Sequence, residues 1–170
     1  MREVATDSAR SITLHQVVFL LPQPASAALS SLLSTDTFLV GSGPQIDWIW
    51  DSARLRHDSV MGDQWKLYGH HEVTQTDFGC RMHFHYTLVE HGVEVLRALE
   101  FLLGTPKTCR KQRQLYFDGP GTQIHVDIRD SEPSTISIET HDGSLRHLSW
   151  RDCLLALGLE EITAQEGEIP

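Results

Sequence analysis

The segments with strand character come in two unbroken runs, and nothing else in the chain restricts the fold as much. Four such segments follow one another between residues 45 and 89, and three more between 107 and 140, with no helical pattern inside either run. Parallel neighbours need a crossover, usually a helix, between each pair, whereas antiparallel neighbours are joined by short turns. The sequence therefore predicts an antiparallel sheet and excludes a doubly wound one.

"SITLHQVVFLL" (11–21) is β-branched and apolar and ends at Pro22 and Pro24. "ASAALSSLLS" (25–34) places Ala28, Leu29, Leu32 and Leu33 at helical spacing, and "GSGP" (41–44) is expected as a turn. Strands follow in "QIDWIWD", "ARLRHDSV", "DQWKLYGHH" and "GCRMHFHYTLV", with reversals at Gly62–Asp63 and around Asp77, Phe78 and Gly79. "HGVEVLRALEFLLG" (91–104) is the clearest helix: Val95, Leu96, Leu99, Leu102 and Leu103 form an apolar stripe and Gly104 stands as a C-cap. Strands resume at 107–117, 122–129 and 135–140, and a last helix is expected over 149–158 with Ser149 as N-cap. The expected fold is α+β, a single antiparallel β-barrel with flanking helices. It occupies about 12–158 of one domain covering 1–170, followed by an acidic tail, 159–170, that carries Glu160, Glu161, Glu166 and Glu168.

The formal charge of −9 opposes nonspecific nucleic-acid binding, which needs a basic footprint for counterion release. No apolar run reaches the roughly 20 residues of a membrane helix, and "VVFLLP" is closed by its proline. The first eleven residues carry both signs of charge and are not followed by a hydrophobic region with a small-residue cleavage site, so an intracellular protein contacting neither membrane nor nucleic acid is expected. Cys80, Cys109 and Cys153 are widely spaced and odd in number; buried free thiols are expected.

Alternation singles out the residues able to do chemistry. In "CRKQRQLYF" Lys111 and Arg113 share a face with Leu115 and Phe117, an arrangement suited to an anion or to solvent. "TQIHVDIRD" sets Ile124, Val126 and Ile128 against His125, Asp127 and Arg129, and "TISIET" sets Ile136 and Ile138 against Ser137 and Glu139. Asp127 and Glu139 are the candidate ligands for a divalent cation, and Arg129 joins Lys111 and Arg113 as a phosphate-binding candidate. "RMHFHY" puts Arg81, His83 and His85 on one face, and two histidines at this spacing can share a metal. Bulky Trp48 and Trp50 in "QIDWIWD" suit a position covered by core or by a partner. The chain has no G-x-x-x-x-G-K, G-x-G-x-x-G, G-x-S-x-G or H-E-x-x-H.

The element order and the run "RKQR…IHVD…ISIE" resemble the CYTH and triphosphate-tunnel superfamily, over roughly residues 12 to 140. The resemblance implies a barrel holding a triphosphate and Mg²⁺ or Mn²⁺, with Lys66, Arg81, Lys111 and Arg113 gripping phosphate and Asp127 and Glu139 on the metal. Where that family's opening strand carries E-x-E-x-K, this chain has "SITLHQVVF" without an acid, and the arginine pair expected near "GDQWKLYG" is reduced to Lys66.

"QWKLYGHHEV…HGVEVLRALEFLLG" and "RQLYFDG" resemble the larger of the two barrel subunits of the Mediator head module, which use this barrel without catalysis. That resemblance implies a nuclear transcription coactivator subunit acting as an interaction scaffold, without cofactor. Its partners would be other protein subunits, a second barrel and a partner helix, with Trp48 and Trp50 as contact candidates. The alternative is a metal-dependent triphosphate phosphohydrolase or adenylate cyclase.

Overall fold

Turns of a few residues join most neighbouring strands, so each strand pairs antiparallel with the one beside it. The structure, a computed structural model, describes residues 10–77, 79–130, 133–141 and 143–163. Its elements are β1 (Arg10–Leu20), α1 (Ala27–Asp36), β2 (Phe38–Ile49), β3 (Arg54–Asp58), β4 (Gln64–Thr76), β5 (Gly79–Leu88), α2 (Gly92–Leu103), β6 (Lys107–Phe117), β7 (Thr122–Ile128), β8 (Thr135–Thr140), α3 (Arg146–Ala156) and β9 (Glu161–Ile162). Neighbouring strands run β5-β4-β3-β2-β6-β7-β8-β1, and β5 also pairs with β1. The eight strands thus form a closed antiparallel barrel, in agreement with the expected α+β class.

β1 closes the ring by serving two neighbours. Arg10 to Gln16 pair with β5, while His15 to Leu20 pair with β8. The two-residue β9 adds to β1 at Val18 and Phe19. The barrel domain therefore extends past the expected boundary at 158: Leu159 is buried and Glu161–Ile162 are paired. Glu166 and Glu168 of the expected acidic tail lie outside the described residues.

The main apolar core lies outside the barrel wall. Phe19, Ile124, Val126, Ile136 and Ile138 face outward and pack against Leu29 and Leu33 of α1 and Trp150 and Leu154 of α3. Helix α1 starts at the Ser26 cap, whose Oγ accepts from the Leu29 N–H at 3.2 Å. Trp150 Nε1 donates to Asp118 Oδ2 at 2.7 Å and ties α3 to the β6–β7 turn. A second apolar cluster, including Leu14, Met82 and Phe84, sits inside the barrel. β8 is buried along its whole length because helices cover one face and the lumen takes the other.

Three local expectations are corrected. "GSGP" lies within β2 rather than at a turn: Gly41 and Gly43 allow the backbone at Ser59 and Val60 to cross that strand, where an added Cβ would sit 2.4 Å from a carbonyl oxygen. α3 begins at Arg146, so Ser149 is inside the helix and does not cap it. Of the cysteines only Cys80 is buried; Cys109 is half-buried and Cys153 exposed. Helical position, not thiol chemistry, decides the last of these.

Helix α2 is held at its two ends by tryptophans. A Cβ on Gly92 would fall 1.9 Å from Trp65 Cδ2, so only glycine lets the helix start against that ring. At the other end, Trp50 Nε1 donates to the Gly104 carbonyl at 2.9 Å. Gly92 is the only residue of α2 that is buried. Phe101 and Leu102 of the expected apolar run are 89% and 71% exposed.

Candidate functional site

The polar faces of β2, β3, β6, β7 and β8 point into the lumen. Arg113 and Asp127 stand opposite each other in register on β6 and β7, as do Asp47 and Arg56 on β2 and β3. In both pairs the arginine grips its carboxylate through two nitrogens: Arg113 Nε and Nη2 reach Asp127 at 2.7 and 2.9 Å, and Arg56 Nε and Nη2 reach Asp47 at 2.7 and 2.9 Å. Such bidentate pairs are stronger than neutral hydrogen bonds. Lys111 Nζ lies 3.2 Å from Asp127 Oδ2, Arg54 3.7 Å from Asp47, and Lys66 3.6 Å from Asp58.

Glu139 forms the third polar centre. Its carboxylate accepts from Gln16 Nε2 at 3.3 Å and stands 3.3 Å from both His125 Nδ1 and His141 Nε2. The lumen positions of β1 are thus Ile12 and Leu14, which line the cavity, and Gln16.

Burial and neighbouring charge set the protonation of these groups. Burial alone would raise the Asp127 carboxyl, but Arg113 and Lys111 outweigh it and hold the pKa well below the ordinary carboxylate range. Burial pushes Lys111 down to about 7, helped by Arg113 and opposed by Asp127. His125 is pushed down to about 4 by burial and by Arg113, so its ring is neutral at neutral pH. For Arg56, Asp47 more than offsets the cost of burial, and the guanidinium stays charged.

The structure brings together Lys66, Lys111, Arg113, Asp127 and Glu139. Arg81 is not among them: it alternates with the buried Cys80 and Met82 and is exposed on the outer face of the barrel. Arg129 follows the end of β7, where its backbone N–H donates to Ser134 Oγ at 3.2 Å. It does not line the lumen cavity. Trp50 is occupied within its own chain, and Trp48 stacks on Trp65 with centroids 5.5 Å apart.

His83 and His85 lie on the outer face with ring centroids 4.9 Å apart, and His83 Nδ1 is 2.7 Å from Thr13 Oγ1. Among the described residues no group of three or more His, Cys, Asp or Glu side chains is placed to hold a metal ion. The candidates Asp127 and Glu139 are engaged with cations, amides and imidazoles, and no acid stands on β1. This donor set does not fit Mg²⁺ or Mn²⁺, which take several carboxylate or other oxygens.

Asp47, Arg54, Arg56 and Asp58 are the lumen residues that the sequence reading missed, and Arg54 and Arg56 are an arginine pair next to Lys66. The signal was present in the alternation of "RLRHD", the same pattern that marked Lys111 and Arg113.

No protein-family model matches the chain, and no curated protein is similar to it in sequence. Solved structures do match. The PH1012 protein from Pyrococcus horikoshii OT3 superposes with a TM-score of 0.66 at 13% identity, over 86% of this chain and 91% of that one. HpAC1 from Hippeastrum, which has a dominant triphosphatase activity, superposes with a TM-score of 0.57 at 15% identity, over 92% and 93%. A chain of the Schizosaccharomyces pombe Mediator head module superposes with a TM-score of 0.59 at 14% identity, over 90% and 99%. The fold is a triphosphate-tunnel-like barrel. This CYTH-like architecture is thus shared with both a triphosphatase and a transcription assembly. Among the described residues no helix is long and apolar enough to cross a membrane.

Proposed function

We propose that this barrel is a non-catalytic interaction scaffold, a subunit of a nuclear transcription coactivator assembly of the Mediator head kind. One observation carries the reading: the two lumen arginines best placed to grip a phosphate chain are each clamped by a buried carboxylate of the same barrel. An incoming triphosphate would have to compete with Asp47 and Asp127, which are held beside those arginines and would repel it. Ile12 and Leu14 in the lumen add no charge for a metal to bridge.

The likeness to a Mediator head chain supports the assembly part of this reading, and helix α2 supports the interaction part. Phe101 and Leu102 expose apolar surface on a helix held mainly at its ends, a surface suited to another protein subunit. A second barrel or a partner helix is the proposed occupant, with no direct nucleic-acid contact.

The test is phosphate release from tripolyphosphate and ATP, with and without Mn²⁺, alongside calorimetric titration of the same compounds. The scaffold reading expects rates no higher than a protein-free control. Metal-dependent turnover that disappears in the Lys111→Ala/Arg113→Ala double variant would overturn it.

The second reading is a divergent triphosphate phosphohydrolase or adenylate cyclase. It is favoured by the convergence of Arg56, Lys66, Lys111 and Arg113 on one lumen. The same assay decides between the two.

A further inference from the structure

The lumen contains a cavity of about 460 Å³, within the range of small-molecule sites. Its walls differ. On one arc, β1, β5 and β4 contribute Ile12, Leu14, Phe84, Tyr86 and Tyr68. The three rings adjoin, with Tyr68 centred 5.9 Å from Phe84 and 5.6 Å from Tyr86. On the other arc, β3, β6, β7 and β8 contribute Arg56, Arg113, His125 and Glu139, and Lys66 of β4 stands where the arcs meet. A triphosphate has no apolar body to cover the first wall.

Charge narrows the ligand further. Among the described residues the ion-paired inward groups are five cations, Arg54, Arg56, Lys66, Lys111 and Arg113, and four carboxylates, Asp47, Asp58, Asp127 and Glu139. A single positive charge is left over. Burial and Arg113 also lower the Lys111 pKa to about 7, which reduces even that surplus near neutrality. Such a lumen matches a ligand with one negative charge and not one with four.

One donor is placed for that charge. Arg113, only 5% exposed, spends Nε and Nη2 on Asp127, while its Nη1 makes no hydrogen bond among the described residues. Lys66 lines the same cavity, with its Nζ 5.5 Å from the centre of the Tyr86 ring and 3.6 Å from Asp58, which also lines it.

We propose that the lumen binds a small planar aromatic monoanion of the arene carboxylate class, with its ring on the Leu14, Phe84 and Tyr86 wall and its carboxylate facing Arg113 and Lys66. The ring stacks on the aromatic wall, and a carboxylate is the planar acceptor that suits a guanidinium nitrogen. This inference does not depend on the scaffold reading, since a non-catalytic barrel and an enzyme can both hold such a molecule.

The test is calorimetric titration of the full chain with 2-naphthoate, with 2-naphthylmethanol as the uncharged comparison and tripolyphosphate as competitor. Saturable one-to-one binding is expected, weakened about tenfold or more for the uncharged compound and for naphthoate in Lys66→Gln, the cost of losing a charge-assisted contact. Leu14→Trp, which fills the cavity, is expected to abolish binding, and Glu94→Gln on the exposed face of α2 to leave it unchanged. Should Leu14→Trp not fold, NOEs from the naphthoate ring to the Leu14 methyls in the unaltered protein place the ligand. No naphthoate binding, the absence of those NOEs, binding retained in folded Leu14→Trp, equal affinity for both naphthyl compounds or tighter binding of tripolyphosphate each overturns the proposal. A null result with naphthoate leaves the phosphate-release test of the scaffold reading untouched.

Discussion

Arg113 and Asp127 face each other across β6 and β7 and meet through two hydrogen bonds of 2.7 and 2.9 Å, both side chains nearly inaccessible to solvent. Buried ion pairs of this type cost desolvation to form and are severe to break, because removing one partner strands the other charge. Asp127→Asn is expected to destabilise the fold by about 3–5 kcal/mol, since it leaves both Arg113 and Lys111 without their carboxylate. The double replacement Arg113→Met/Asp127→Leu is expected to cost less than that single change. Urea unfolding of the three proteins measures both, and an equal or larger loss for the double variant would show that the pair itself stabilises the barrel.

Stability is expected to rise with pH across two windows. The folded His125 pKa, about 4, lies below its ordinary 6.5, so between those values the unfolded chain holds the extra proton and raising the pH favours the fold. Lys111 behaves in the same sense from about 7 upward, until above about 9 the Cys80 thiol, raised to about 11, opposes it by keeping its proton only in the fold. Denaturation midpoints measured from pH 4 to 10.5 should show both slopes, with His125→Gln flattening the lower and Lys111→Met the upper.

Gly92→Ala is expected to shift the start of α2, because the new Cβ would lie 1.9 Å from the Trp65 ring. Overpacking of this kind costs about 1–3 kcal/mol. Thermal unfolding gives the loss, and Gly92→Ala in a Trp65→Ala background should cost markedly less if the ring is the cause.

Thiol reactivity should follow position. Cys153 is exposed and is expected to react first with Ellman's reagent, Cys109 more slowly. Cys80 is buried, and burial with Glu139 pushes its thiol up to about 11, so it should react only on unfolding. Stopped-flow traces of the three single Cys→Ser variants assign the phases.

Much of the architecture was legible because local patterns specified it. The two runs of strands announced an antiparallel barrel, and "GVEVLRALEFLL" announced α2. The arginine pair at Arg54 and Arg56 is legible in the alternation of "RLRHD", but that alternation does not say which face turns to the lumen. "GSGP" misled because glycine serves close approach as well as turns; here Gly41 and Gly43 make room for the backbone at Ser59 and Val60.

By itself, the sequence determined the order of the strands and which residues share a face, since alternation has a period of two wherever a strand forms. Only the tertiary structure decided which face turns inward. Alternation carries no direction, and α1 and α3 settled the matter by covering Ile124, Val126, Ile136 and Ile138 from outside. That burial sends His125, Asp127 and Glu139 into the lumen. It also sets Arg113 opposite Asp127 and Arg56 opposite Asp47, a neutralisation that depends on cross-strand register and appears in neither strand alone.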